Sequence, residues 1–221
     1  MPTGIATARS EATVLSTNKL IRNTYTLLSM TLLFSALTAS VSVFLAMPPI
    51  TYLVSVGGAF LMMWLVLPRT ANSAAGLGVV FAITGLMGFA LGPMLNMYLS
   101  LPNGPQIVAT ALGGTGVIFL GLSGYALTTR KDFSFIGGFL FVGLLVVFAA
   151  ALGNIFLAIP ALSLALSAAI VLLMSGFILY DTSRMVHGGI NNYIIATVQL
   201  YVNIFNLFVS LLHLLGFASD D

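Results

Sequence analysis

Long apolar runs alternate with short separators along almost the whole chain. Each run is close to the roughly 20 residues that a helix needs to cross a bilayer. The predicted spans are 25–46, 50–67, 75–99, 106–129, 134–157, 160–183 and 193–217. The separators carry proline, glycine, asparagine or charged residues, and they are too short for anything except antiparallel neighbours. The pattern therefore predicts an all-α integral membrane protein with seven transmembrane helices.

The last predicted span carries a regular series of polar side chains. Their spacing of four, three, four and three residues places them all on one face of a helix. The series consists of Gln199, Asn203, Asn206, Ser210 and His213. We predict that this face does not contact lipid, because it either forms hydrogen bonds to neighbouring helices or lines a path for water or ions.

The segments outside the spans are short. Residues 1–23 are rich in Thr, Ala and Ser, and we expect them to form a disordered tail. Residues 218–221 form a short acidic C-terminal tail. The first apolar run is too long for the hydrophobic region of a signal peptide, and further spans follow it. Residues 24–217 are therefore predicted to form a single transmembrane domain.

Composition supports the membrane class independently. Of the 221 residues, 59% are hydrophobic and 5% are charged, with a mean hydropathy of +1.12. Soluble domains carry roughly 25% charged residues. The chain contains no cysteine, which excludes disulfides and thiolate chemistry. The basic residues are scattered singly or in pairs, so nucleic-acid binding is not expected.

The basic residues predict an orientation in the membrane. All of them precede the first span or follow an even-numbered one, namely Arg9, Lys19, Arg22, Arg69, Arg130, Lys131 and Arg184. By the positive-inside rule this side is the cytoplasm, and the N-terminus lies there. The C-terminus is then periplasmic if the seventh segment crosses fully, whereas a re-entrant segment would return it to the cytoplasm. In a bacterium the location would be the inner membrane.

Small residues predict where the helices pack closely. Glycines recur in the third and fourth spans, and a run rich in serine and alanine begins the sixth, all of which allow backbones to approach. The positions are Gly85, Gly88, Gly92, Gly113, Gly116, Gly121, Gly124 and 163–169.

Asp181 is the only acidic residue within a predicted span. A carboxylate at that depth costs several kcal/mol unless it is paired or faces water. Arg184, three residues on, and Arg69, at a similar depth, are the predicted partners. Two interpretations stay open, a structural ion pair and a gating or ion-sensing carboxylate.

One enzyme hypothesis arises from Gly121-Leu-Ser-Gly124, which matches the Gly-x-Ser-Gly of rhomboid-type intramembrane proteases. The only histidine available in a span is His213, and the predicted topology puts Ser123 and His213 near opposite membrane surfaces. A catalytic base must lie within about 3 Å of the hydroxyl it activates. No nucleotide or metal motif is present, so neither an enzyme nor a cofactor or metal site is expected.

Two C-terminal stretches, 176–189 and 192–216, resemble the closing signature of the Bax-inhibitor family of membrane proteins, most closely its bacterial YccA branch. They contain Leu179-Tyr180-Asp181-Thr182-Ser183-Arg184 and Leu200-Tyr201-Val202-Asn203-Ile204. The resemblance implies a central seventh helix surrounded by the other six.

The resemblance also implies two functions. The YccA branch modulates the membrane ATP-dependent protease FtsH, so the chain is expected to bind and restrain that protease in the lipid bilayer. The alternative is a pH-sensitive leak for Ca²⁺ or H⁺ gated by Asp181, since family members carry a pair of aspartates in these motifs. Asn203 occupies the second position here. An amide does not ionise, so the departure weakens the leak hypothesis.

Overall fold

The structure, a computed structural model, describes residues 3–218 and the side chains of 15–218. The described chain forms seven helices that are long and apolar enough to cross a membrane. They are α1 (Thr3–Phe44), α2 (Ile50–Thr70), α3 (Ala75–Leu99), α4 (Gly104–Thr129), α5 (Gly137–Leu157), α6 (Pro160–Val186) and α7 (Tyr193–Phe217). The predicted number and order of spans are confirmed.

The start of the first helix differs from the prediction. The sequence favoured a disordered tail up to residue 23, whereas the structure has one continuous helix from Thr3. Neither proline nor glycine occurs between residues 5 and 44, so nothing interrupts helix propagation from the membrane span towards the N-terminus. The acidic residues of the predicted C-terminal tail lie outside the described residues.

Helix α2 contains one turn of π-helix at Met62–Val66. Pro68 follows it and has no backbone N–H to donate to the carbonyl four residues earlier. The wider turn just before the proline accommodates that loss within a helix that continues to Thr70.

Helix α7 is the most buried of the seven. It packs closely against α1, α3, α4 and α6, and 67% of its most apolar stretch is buried, against 11% for the fifth span. Helix α2 packs mainly on α3, and α5 mainly on α6. The prediction that all six other helices surround α7 is therefore not confirmed, because four of them form its close neighbours.

The interface between α1 and α3 confirms the packing prediction for the third span. A Cβ atom on Gly88 would overlap the backbone carbonyl of Ser35, and one on Gly92 would overlap Ser42. The two helices approach this closely because neither glycine carries a side chain.

The same prediction is wrong for the fourth span. A Cβ added at Gly113, Gly116, Gly121 or Gly124 would meet nothing within 4 Å. Composition identifies small residues but not the side of the helix that they occupy, and here they leave open space on α4.

Candidate functional site

The last two helices meet at a buried pair of polar side chains. Asp181 of α6 and Asn203 of α7 are 6% and 7% exposed. The Asn203 side-chain Nδ2 donates a hydrogen bond of 2.8 Å to Asp181 Oδ2. Because α6 and α7 are joined by a short loop and pack along each other, residues 22 positions apart in sequence become direct partners. The carboxylate that the sequence singled out is thus satisfied by the amide.

The predicted arginine partners bind elsewhere. Arg184 donates to the carbonyl of Gly189 at 2.9 Å, and its guanidinium lies 5.3 Å from the centre of the Tyr180 ring. Arg69 donates to the carbonyl of Leu65, in the preceding turn of its own helix. Spacing along a helix indicates a shared face but not a contact. A long arginine side chain extends towards the membrane surface, so its guanidinium does not reach a carboxylate that lies deeper.

Thr182, next to Asp181, extends the site to two further helices. Its hydroxyl lies 3.4 Å from the hydroxyls of both Tyr25 on α1 and Ser123 on α4. This cluster joins three helices beside the Asp181–Asn203 pair. Sequence reasoning missed it, since Tyr25 and Ser123 are far from Thr182 in sequence and Ser123 was considered only as a protease nucleophile.

The polar series of α7 does not form one continuous lining. Gln199 is half-buried, and its Oε1 has no hydrogen-bond partner. The Asn206 amide donates to a carbonyl of its own helix at 2.8 Å. Ser210 is buried, whereas His213 is exposed and lies 3.4 Å from the Tyr98 hydroxyl. Apart from Asn203, the series therefore serves several local contacts.

The serine protease arrangement is not formed. Ser123 contacts Thr182 of α6, while His213 contacts Tyr98, the residue before the end of α3. Among the side chains of 15–218, no group of three or more His, Cys, Asp or Glu residues is placed to hold a metal ion.

The 71–74, 130–133 and 187–192 loops lie together beside the end of α6 that carries Asp181. Ser183 accepts a hydrogen bond of 2.9 Å from the Phe133 backbone N–H, and His187 Nε2 lies 3.1 Å from the Arg130 carbonyl oxygen. In the same loop, the hydroxyl and then the backbone N–H of Ser134 lower the pKa of Asp132. The 130–133 loop is thereby fixed to the end of α6.

Asn192 connects the 71–74 loop to the start of α7. Its Oδ1 caps the helix by accepting from the backbone N–H groups of Ile194 and Ile195, at 2.8 and 3.2 Å. Its Nδ2 donates to the carbonyl of Ala71 and to Asn72 Oδ1, at 2.9 and 2.8 Å. One side chain thus fixes both the N-terminus of α7 and the 71–74 loop.

Replacing Asn192 by alanine is expected to lower the free energy of unfolding by about 2 kcal/mol, because a cap and two inter-loop hydrogen bonds are lost. Chemical unfolding of the purified protein in detergent measures the loss, and hydrogen exchange should rise in the 71–74 loop. The matched control is Asn191→Ala at the adjacent, exposed asparagine. Equal losses for the two variants would contradict the proposed contribution of Asn192.

These features define a seven-span integral membrane protein with a buried carboxylate–amide pair between its last two helices. Residues 17–220 match the family described as Inhibitor of apoptosis-promoting Bax1. The chain belongs to this Bax-inhibitor family, which confirms the resemblance seen in residues 176–216.

Several bacterial relatives match over nearly the whole chain. Modulator of FtsH protease YccA from Escherichia coli (strain K12) is 49% identical over 217 residues, which cover 98% of each chain. An uncharacterized membrane protein of Vibrio cholerae is 51% identical over 207 residues, covering 94% of this chain and 93% of the relative. An uncharacterized protein of Pseudomonas aeruginosa is 49% identical over 202 residues, covering 91% and 90%.

Proposed function

We propose that this chain is an inner-membrane modulator of the membrane-bound ATP-dependent protease FtsH and restrains its activity. One observation carries the proposal, the 49% identity over 98% of both chains with the modulator of FtsH protease YccA. The alignment extends over every span and therefore includes the helix surfaces that would contact a partner in the bilayer.

The ends of the bundle support an orientation for this role. The 71–74, 130–133 and 187–192 loops lie together, as the contacts of His187 and Asn192 show. Arg69, Arg130 and Arg184 lie in or beside these loops, which supports a cytoplasmic location for this end by the positive-inside rule. Helix α7 continues without a break over 25 residues, which supports full crossing and a periplasmic C-terminus.

Helix α1 supplies an element suited to reach the cytoplasmic part of the protease. Its 42 residues correspond to ~63 Å at 1.5 Å per residue, whereas the hydrocarbon core is ~30 Å thick. Roughly half of the helix therefore extends beyond the bilayer core on the side proposed to be cytoplasmic. A protease whose ATPase ring lies on that side would meet this extension first.

Deleting residues 2–14 is expected to abolish restraint of the protease without abolishing its binding. The deletion stops before Leu20 and Ile21, which pack against the core, so the bundle is retained. The deletion variant and the full chain are each purified at native abundance from bacterial membranes in mild detergent, and co-purified protease and degradation of a membrane substrate are measured.

A variant with residues 3–14 in scrambled order is the matched control, because it keeps length and composition. Restraint by the scrambled variant would assign the effect to length alone. Failure to recover the protease with the full chain, from membranes that contain it, would overturn the proposed function itself.

The geometry does not favour the cation-leak alternative. Its gating residue, Asp181, is bound to a neutral amide, and the polar series of α7 is divided among separate contacts. A second carboxylate would be needed to share a proton with Asp181 or to bind a divalent cation with it. The amide of Asn203 occupies that position.

A further inference from the structure

Helices α1 and α4 form the two walls of an open crevice in the membrane region. Its volume is about 660 Å³, and α3 and α7 contribute its floor. On α1 the lining extends from Leu32 to Phe44, and on α4 from Val108 to Phe119. All of these residues lie within the helices that are long and apolar enough to span a membrane, so the crevice lies at the depth of the bilayer.

The chemistry of the lining selects an apolar occupant. Apart from Gly116, every lining residue is apolar or carries a hydroxyl group. The hydroxyls of Ser35 and Tyr201 bond to each other, and Tyr201 also donates to a backbone carbonyl of α3 at 3.2 Å. Ser40 and Thr115 donate to carbonyls of their own helices at 2.8 and 2.7 Å. Each polar group therefore already has a partner within the protein, and a polar ligand gains little by binding here.

The length of the crevice matches one leaflet of the bilayer. From residue 32 to residue 44 the α1 axis rises by ~18 Å at 1.5 Å per residue, and half of the hydrocarbon core is ~15 Å thick. One end lies at Phe44 and Leu99, next to the 45–49 and 100–103 loops, and the other reaches Phe119 and Tyr201. The crevice thus extends from the membrane surface inward along the helices.

A single extended hydrocarbon chain is much narrower than a transmembrane helix, which is about 10 Å in diameter with its side chains. It also runs along the direction of the helices in every leaflet, so it is the apolar occupant that the bilayer itself supplies along this path.

We propose that the crevice binds one acyl chain of a phospholipid from the leaflet that borders the 45–49 and 100–103 loops. The chain lies against the Ser35–Tyr201 contact, which joins α1 to α7, and fills the gap between α1 and α4. All Lys and Arg residues from 19 to 184 lie towards the opposite end of the bundle. Binding therefore depends on the length of the acyl chain and not on a negative charge in the headgroup.

A pair of glycine variants on α4 tests the proposal. Gly116 lines the crevice, and a Cβ added there meets nothing within 4 Å, so the side chain of Gly116→Phe is expected to enter the crevice while the fold is retained. Gly121 lies on the same helix, is exposed and does not line the crevice, and a Cβ added there also meets nothing within 4 Å. Gly121→Phe is therefore the matched control, and Ala36→Phe repeats the filling from the opposite wall.

Native mass spectrometry of the full-length protein during stepwise delipidation provides the measurement. The lipids added back are phosphatidylethanolamine and phosphatidylglycerol with chains of 10 or 16 carbons. Wild type and Gly121→Phe are expected to retain one 16-carbon lipid with either headgroup. Retention by Gly116→Phe and Ala36→Phe should fall about tenfold, because the acyl chain loses its packing contacts.

Three results would overturn the proposal. The first is equal lipid retention by Gly116→Phe and Gly121→Phe, with both variants folded as judged by thermal unfolding. The second is retention that follows headgroup charge and ignores chain length. The third is unchanged lipid retention by Gly116→Phe together with loss of co-purified protease, which would assign the crevice to a protein partner.

Discussion

Replacing Asn203 by leucine is expected to lower the free energy of unfolding by about 3 kcal/mol, the largest stability loss from any single polar residue of the bundle. The substitution removes the hydrogen bond of 2.8 Å to Asp181 and keeps a side chain of similar size. The carboxylate then stays buried without its amide donor. No water replaces that donor in the interior, and an unpaired charge is costly at the low dielectric there. Equilibrium unfolding in mixed detergent micelles measures the loss.

A double-mutant cycle separates the buried carboxylate from a simple packing effect. In the Asp181→Leu/Asn203→Leu variant both polar groups are removed, and the total loss should shrink to about 1 kcal/mol or less. Recovery in the double variant is therefore the specific signature of the pair. If the two single losses add in the double variant, Asn203 acts through packing and the proposed partnership is disproved.

The sequence was sufficient to predict the seven spans because each is an uninterrupted apolar run bounded by breakers. It also singled out Asp181 and Asn203 on the last two helices, and the structure brings these two side chains into contact. It did not identify them as each other's hydrogen-bond partners, since charge alone favoured Arg184 or Arg69. The two groups lie at different depths in the membrane. The Arg184 guanidinium extends to the carbonyl of Gly189, whereas the Asp181 carboxylate stays buried between the helices.

The remaining differences share a physical cause, which is that hydropathy does not report the direction of a helix face. Glycines within both α3 and α4 were predicted to pack closely, yet Gly88 and Gly92 of α3 meet the backbone of α1, whereas the four predicted on α4 meet nothing within 4 Å. Likewise, Tyr25, Ser123 and Thr182 come together from three helices whose relative rotation no local pattern specifies. Rotation about the helix axis is set by the packing of the whole bundle.

Gly88→Ala is expected to lower the free energy of unfolding by about 2 kcal/mol through the interface between α1 and α3. The added methyl group overlaps the backbone carbonyl oxygen of Ser35 and the side chain of Thr38. A side chain rotates to relieve an overlap, but the helix backbone does not, so α1 and α3 must separate along their contact. Equilibrium unfolding in detergent, with chemical cross-linking between the two helices, measures both effects.

Gly78→Ala on the same helix is the matched control, because Gly78 is exposed and a Cβ there meets nothing within 4 Å. Alanine favours a helix over glycine by up to about 1 kcal/mol, so the control should be neutral or slightly stabilised. The same preference acts at Gly88, and the difference between the two variants therefore isolates the overlap with Ser35. A Gly88→Ala protein as stable as the control would show that α1 and α3 are not held at the close approach described here.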